Sequence, residues 1–319
     1  MRNFTSEFQR LTSFIDESKS ILLFAHSHPD MDTIGATFAL SLYLEQCGKK
    51  IETICFDPFP STLQRLLPGH FLHPEQVSFE QCDLLIACDS VDRGFDRIRP
   101  TLQGGQKTVS IDHHPHIKIK SDVNIIDTRY SSTCEILFDY FEYRQVNITK
   151  MMATALLAGI IFDTGNFQHI CTTPRVMEIA GILMKKGAPL TKIVNAIFSN
   201  TGISALRLWG RAFEQSVFNT RTHTLVAAIT QQDVKECQAS VEDIYQVTSI
   251  LSNVPEAKIA IVLSERDDNT VRASIRSMEH HHVDVSAIAR QFGGGGHRLS
   301  SGFELPGKLQ KTTAGWIVI

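Results

Sequence analysis

The sequence predicts an α/β chain in which a parallel-sheet domain over residues 1–186 is followed by a helical connector over 187–221 and a smaller α+β domain over 222–319. Three observations carry this expectation. Short, nearly uniform apolar runs alternate with helical segments through the first half, as in a parallel sheet covered on both faces. Helix-spaced segments then follow one another without intervening strands. From about residue 222 strand-like runs return, with one helix-like segment among them. At roughly 100–200 residues per domain, 319 residues fit two domains, each large enough to bury a core of its own.

Phe4, Phe8, Leu11, Phe14 and Ile15 fall at helical spacing, so the chain opens with an amphipathic helix. ILLFAH (21–26) is a short apolar run and predicts the first strand, followed by a polar loop and a helix over 33–50. KIETICF (50–56), DLLIACD (83–89) and KTVSID (107–112) read as the next three strands, with helices over 131–145 and 149–162. Segments 173–186, 189–199 and 204–218 are helical, the last with Leu206, Trp209, Phe213 and Val217 on one stripe. HTLVAAIT, AKIAIVLSE and NTVRASIRS are strand-like and VDVSAIARQF helix-like.

Lys and Arg total 31 against 34 Asp and Glu, a net charge of −3. A protein that holds long DNA or RNA through its phosphates carries a basic domain or stripe, which this chain lacks. The balance suits a small anionic substrate held by a few placed cations. The seven cysteines are scattered with no C-x-x-C pair, which argues against a disulfide framework and a structural zinc knuckle. The opening 20 residues lack the uninterrupted apolar core of a secretion signal, and no stretch reaches about 18 apolar residues. A cytoplasmic location without membrane attachment is therefore expected.

Acidic and histidine residues gather just past the strands. His26-Ser27-His28-Pro29-Asp30-Met31-Asp32 follows the first, Asp89-Ser90 the third and Asp112-His113-His114 the fourth, while Asp163 ends an apolar helix. Open parallel sheets bind ligands beyond the carboxyl ends of their strands, so these distant segments can converge on one cleft. Singly, an Asp-x-Asp caps a helix and His-His is a common surface pair. Together, His26, Asp30, Asp32, Asp89, His113 and Asp163 supply four carboxylates and two imidazoles without a thiolate. That set suits Mn²⁺, with Mg²⁺ as the alternative, over a closed zinc site, and it exceeds what one open catalytic ion takes. Two divalent ions sharing a carboxylate use the surplus, which points to metal-assisted phosphoryl hydrolysis.

HSHPDMDTIGA, ACDS, IDHHP and GIIFDTGNF resemble the four motifs of the DHH phosphoesterase superfamily. NTVRASIRS, VSAIARQFGGGGH and the following SSG resemble its DHH-associated C-terminal domain. The resemblance covers essentially the whole chain and is nearest the nanoRNase group, which degrades short oligoribonucleotides and removes the 3′-phosphate of 3′-phosphoadenosine 5′-phosphate (pAp). It implies that His26, Asp30 and Asp89 hold one ion and that Asp32, Asp89, His113 and Asp163 hold a second, with Asp89 bridging. It further implies that Asp112 orients His113, that His114 faces the scissile phosphate, and that Arg276 and Ser277 bind substrate. His28 and Met31 depart from the commonest form of the first motif. In the last region, Gly294, Gly295, Gly296 and His297 form a bare backbone able to approach a phosphate or nucleotide. Strand alternation puts Arg272, Ser274 and Arg276 on one face and Val271, Ala273 and Ile275 on the other.

The expected substrates are short RNA oligonucleotides and small nucleotides such as pAp, with no long nucleic-acid track. A phosphodiesterase for cyclic dinucleotides or their linear products is the enzymatic alternative, and a non-catalytic nucleotide-binding protein the alternative of another class. The order of substrate preference and the oligomeric state, a homodimer included, stay open at this point.

Overall fold

The computed structural model describes residues 4–90, 94–102, 104–114, 121–198, 202–266, 268–312 and 315–319. The chain divides into two compact units, Met1–Asn200 and Thr201–Ile319. The segment expected as a connector is thus shared between them.

In the first unit α1 (Thr5–Glu17) buries Phe8, Leu11 and Ile15, as its spacing predicts. It leads into β1 (Ser20–Phe24), α2 (Met31–Gln46), β2 (Lys50–Ile54), β3 (Leu84–Cys88), the single turn α3 (Phe95–Ile98), β4 (Lys107–Asp112) and β5 (Val123–Ile126). Then come α4 (Thr133–Tyr143), α5 (Lys150–Asp163), α6 (Pro174–Lys185) and α7 (Leu190–Phe198). Side-chain oxygens cap four of these helices: Asp30 caps α2, Ser132 α4, Thr149 α5 and Thr173 α6. The strands pair in parallel in the order β2-β1-β3-β4-β5. β5 was not anticipated, because four residues are too few to show a period.

Alternation sorts the strand side chains between two layers. Ile21, Leu23, Ile86 and Val109 pack with α1, α2, α4 and α5 on one face. Leu22, Phe24, Leu85 and Ala87 pack with Phe95 and Ile98 on the other. α2 and α5 are apolar on nearly all sides and lie in the interior against each other. A β-carbon at Gly35 would collide with the carbonyl of Ala155, so glycine sets how closely these two helices approach. Because β2 and β3 lie on opposite sides of β1, the chain leaves β1 and β3 in diverging directions and opens a crevice between their carboxyl ends.

The second unit holds α8 (Ile203–Glu214), β6 (Val217–Asn219), β7 (Thr224–Ile229), α9 (Gln231–Cys237), α10 (Tyr245–Leu251), β8 (Ile259–Glu265) and β9 (Thr270–Arg276). It continues with α11 (Val285–Gln291), β10 (Gly295–His297), β11 (Ser300–Pro306), β12 (Leu309–Thr312) and β13 (Gly315–Val318). A six-stranded sheet runs β10-β11-β9-β8-β7-β6, antiparallel except for β7 beside β8. β12 and β13 form a separate hairpin. The helix expected over 204–218 stops at Glu214, and Val217 begins β6. Leu206 points to solvent, whereas Trp209 and Phe213 of the expected stripe pack partly buried against a core that includes Leu208 and Ala212.

Candidate metal centre

Each of the six expected ligands is fixed by local chemistry. Directly after β1, His26 is 1% exposed, and its Nδ1 lies 2.7 Å from the carbonyl of Ser27. A carbonyl only accepts, so Nδ1 carries the hydrogen and Nε2 faces the site, 3.5 Å from Asp30 Oδ2 and 3.6 Å from Asp89 Oδ2. Asp30 caps α2: its Oδ1 accepts from the amides of Asp32 and Thr33, each at 3.1 Å, leaving Oδ2 toward His26. Asp32, fully buried in the first turn of α2, accepts from the amides of Thr133 at 2.7 Å and Cys134 at 3.0 Å. Those amides open α4, so a helix N-terminus holds this carboxylate. Thr33 Oγ1 donates to Asp89 Oδ2 at 2.7 Å.

Asp89 leaves β3 in the left-handed region, with φ of 56°, which Asp tolerates better than most residues. His113, just past β4, places Nε2 3.0 Å from Asp163 Oδ2, 3.7 Å from Asp89 Oδ1 and 3.9 Å from Asp32 Oδ2. Asp163 is the last residue of α5. The chain segments named from sequence therefore converge beside the crevice between β1 and β3.

Burial and mutual repulsion push the Asp32 carboxyl well above its usual range, with Asp163 and Asp89 as the repelling charges. Burial likewise lifts Asp163, to about 6. Burial also acts to raise Asp89, but the imidazoles of His114 and His26 overcome it and hold the carboxyl well below the usual range. Burial pulls His26 and His113 down, yet the surrounding carboxylates outweigh it and raise both to about 10. In this arrangement imidazolium charge stands in for a cation among crowded acids.

The donor set fits divalent ions. Three groups, His26-Asp30-Asp89, Asp32-His113-Asp163 and Asp89-His113-His114, each bring their ligand atoms within 4.8 Å of one another. Ligands bound side by side to one octahedral ion at about 2.1 Å lie roughly 3 Å apart, close to the shorter separations found. Asp89 Oδ1 and His113 Nε2 are buried and form no well-directed hydrogen bond among the described residues, although each has an oppositely charged neighbour at 3.0 Å, His114 Nδ1 and Asp163 Oδ2. Buried polar atoms of this kind call for a partner of another sort.

One expectation needs correction. Asp112 Oδ1 accepts from the amide of His114 at 2.8 Å and lies 2.9 Å from its Nδ1, so Asp112 orients His114 where the resemblance assigned it to His113. The ring of His114 also meets Asp89 Oδ1 at 3.0 Å. His28, with φ of 55°, belongs to none of the ligand groups found among the described residues; its amide donates to Asp57 Oδ2 at 2.8 Å. Sequence reasoning missed Thr33, the two amides at the start of α4, and Gly159. The helix cap Ser132 signals where those amides lie, but nothing in the sequence pairs them with Asp32.

In the second unit Arg272, Ser274 and Arg276 are half-buried and alternate with buried Val271, Ala273 and Ile275, as the strand pattern predicts. The guanidinium of Arg276 forms no ion pair or hydrogen bond among the described residues, and burial alone pulls its pKa down. Ser277 is buried and its hydroxyl donates to the carbonyl of Lys258 at 2.7 Å, which leaves it only acceptor capacity. The glycine run leads into a strand. Gly294 packs so closely on β11 that a β-carbon would strike the carbonyl of Gly302, and Gly295, Gly296 and His297 form β10 at the sheet edge. Open space surrounds Gly295, and His297 is exposed.

Comparison with known proteins shows which chains this one is similar to. The chain is 26% identical over 299 residues to the bifunctional oligoribonuclease and PAP phosphatase NrnA of Mycoplasma genitalium, covering 93% of this chain and 92% of that protein. It is 26% identical over 306 residues to NrnA of Bacillus subtilis, with 93% and 92% covered. Against the cyclic-di-AMP phosphodiesterase GdpP of B. subtilis it is 28% identical over 315 residues, 93% of this chain but 46% of GdpP. Among solved structures, an exopolyphosphatase-related protein of Bacteroides fragilis superimposes with a TM-score of 0.88 at 21% identity, covering 95% and 92% of the two chains. RecJ of Thermus thermophilus in complex with Mn²⁺ shares the fold at a TM-score of 0.57 and 13% identity, over 93% of this chain and 51% of RecJ. Residues 20–160 match the N-terminal domain of the DHH family and residues 224–314 the DHHA1 domain, so the chain belongs to the DHH phosphoesterases with a DHHA1 domain.

Proposed function

We propose that this protein hydrolyses short oligoribonucleotides to mononucleotides and removes the 3′-phosphate of pAp, using two divalent ions, with Mn²⁺ the ion best suited to the donors. The observation that carries the reading is the membership of Asp89 in two ligand groups, His26-Asp30-Asp89 and Asp89-His113-His114, with its Oδ1 buried 3.0 Å from the His114 ring and 3.7 Å from His113 Nε2. His26, Asp30 and Asp89 hold one ion; Asp32, His113, Asp163 and the same Asp89 hold the other. Bound there, divalent ions supply charge for phosphoryl oxygens and acidify water. Asp112 keeps the ring of His114 in place to stabilise charge developing on the phosphoryl group.

In the C-terminal domain, proposed to begin near residue 222, Arg276 attracts a substrate phosphate, an assignment supported by a half-buried guanidinium that has no ion pair or hydrogen bond among the described residues. Gly294, Gly295 and Gly296 let backbone approach the nucleotide, and exposed His297 adds a further contact. Ser277 enters only as an acceptor. Short substrates agree with the net charge of −3. No helix among the described residues is long and apolar enough to cross a membrane.

GdpP supports cyclic-dinucleotide hydrolysis as the second reading, although the chain spans under half of that protein. A product time course on 5′-labelled RNA of two to twenty nucleotides, beside pAp and cyclic di-AMP, tests the choice. Fast turnover of dinucleotides and pAp supports the proposal, whereas cyclic di-AMP hydrolysed first supports the alternative.

A further inference from the structure

A pocket of about 220 Å³ opens at the carboxyl end of β2, lined by Cys55, Phe56, Asp57, Pro58, Phe71, His73 and Gln76. Two hydrogen bonds join its wall to the loop that carries the metal ligands. Cys55 Sγ donates to the carbonyl of His26 at 3.1 Å, and Asp57 Oδ2 accepts from the amide of His28 at 2.8 Å. Since β2 neighbours β1, the pocket lies at the carboxyl ends of the strands, one strand from the crevice between β1 and β3.

Its chemistry suits a flat, uncharged, polar-edged ring. Phe56 and His73 meet edge to face at 5.9 Å, and the guanidinium of Arg97 lies over the Phe56 ring at 3.8 Å. Among the described residues no lysine or arginine is part of the pocket lining, and the carboxylate of Asp57 disfavours phosphate. Two polar groups retain unused capacity among the described residues. Asp57 Oδ1 has no hydrogen bond and can accept. Gln76 Oε1 accepts from the amide of His73 at 2.7 Å, and its Nε2 has no hydrogen bond among the described residues and can donate. A nucleobase offers a matching donor and acceptor on one edge and an aromatic body for the phenylalanines. The volume falls below the roughly 300–1,000 Å³ of pockets that enclose a whole drug-sized ligand, as expected for one ring system.

We propose that this pocket is a nucleobase subsite for a nucleotide flanking the scissile phosphate, with Phe56 and Phe71 packing on the ring and Asp57 and Gln76 reading its edge. The inference rests on the oligoribonuclease reading, and it locates selectivity for base-bearing substrates in the first unit.

The test compares kcat/KM of the full-length protein on a diadenosine dinucleotide with two analogues, each lacking the base of one nucleoside. One analogue should react at least about tenfold more slowly than the parent, a loss in line with forfeited hydrogen bonds and ring contact. In Asp57→Asn, which keeps an acceptor for His28 and turns the other oxygen into a donor, and in Gln76→Ala, an exposed position, that ratio should fall toward one. Equal rates on the parent and both analogues in the unaltered protein overturn the subsite and leave the oligoribonuclease reading intact. An unchanged ratio in both variants overturns the residue assignment. Absence of turnover on every dinucleotide would instead mean that the underlying functional reading fails.

Discussion

Gly159 in α5 exists to make room for Asp32: a β-carbon there would come within 2.8 Å of Asp32 Oδ1 and collide with Cys134 Sγ. A buried carboxylate held by two helix amides has no slack, so α5 must pass it without a side chain. Gly159→Ala is expected to displace Asp32 and cost roughly 10- to 100-fold in metal affinity or turnover, the range seen when groups that orient metal ligands are altered. Overpacking adds a loss of about 1–3 kcal/mol in stability. Metal titration and thermal melting of the variant check both parts.

Asp89 combines a left-handed backbone with membership of two ligand groups. Asparagine tolerates that backbone nearly as well. Asp89→Asn should therefore fold and melt close to the parent yet lose more than about 10³-fold in turnover. A mild kinetic effect in a well-folded Asp89→Asn would remove this residue from the centre of the account.

Metal binding should release protons. His26 and His113, raised to about 10, are imidazolium in the metal-free protein at pH 8, whereas a metal ligand must be neutral. Apparent affinity for Mn²⁺ should therefore rise with pH between 6 and 9 by roughly one to two decades per unit. Titration calorimetry in buffers of differing ionisation enthalpy reads the release directly, and heats independent of buffer would contradict it.

Arg276 breaks no ion pair among the described residues when removed. Arg276→Ala should hold or slightly raise the melting temperature, because a desolvated charge is relieved. It should lower kcat/KM on pAp and dinucleotides by about 10- to 150-fold, the worth of a charge-assisted contact. A fall in melting temperature matching the kinetic loss would make the residue structural.

The parallel sheet and the convergence of six acid and imidazole side chains were legible because each signal is local: an apolar run ends, and an acid or imidazole follows. β5 escaped because four residues show no period, and the end of α8 was misplaced because Val217 continued a helical spacing into a strand. Gly159, Thr33 and the amides of Thr133 and Cys134 act on Asp32 or Asp89 across distant sequence, so only folding brings them together. The pairing of Asp112 with His114 went the same way. Both histidines lie next to it in sequence, and the backbone turn after β4 decides which one it meets.

The central claim is that ions gathered around Asp89 make this chain a phosphoesterase. The most direct measurement strips the protein with chelator and follows hydrolysis of a 5′-labelled dinucleotide as Mn²⁺ is added back, with bound metal counted in parallel. The account predicts no turnover without metal, recovery as about two ions bind per chain, and no recovery in Asp89→Asn. Full turnover by the metal-free protein would contradict it.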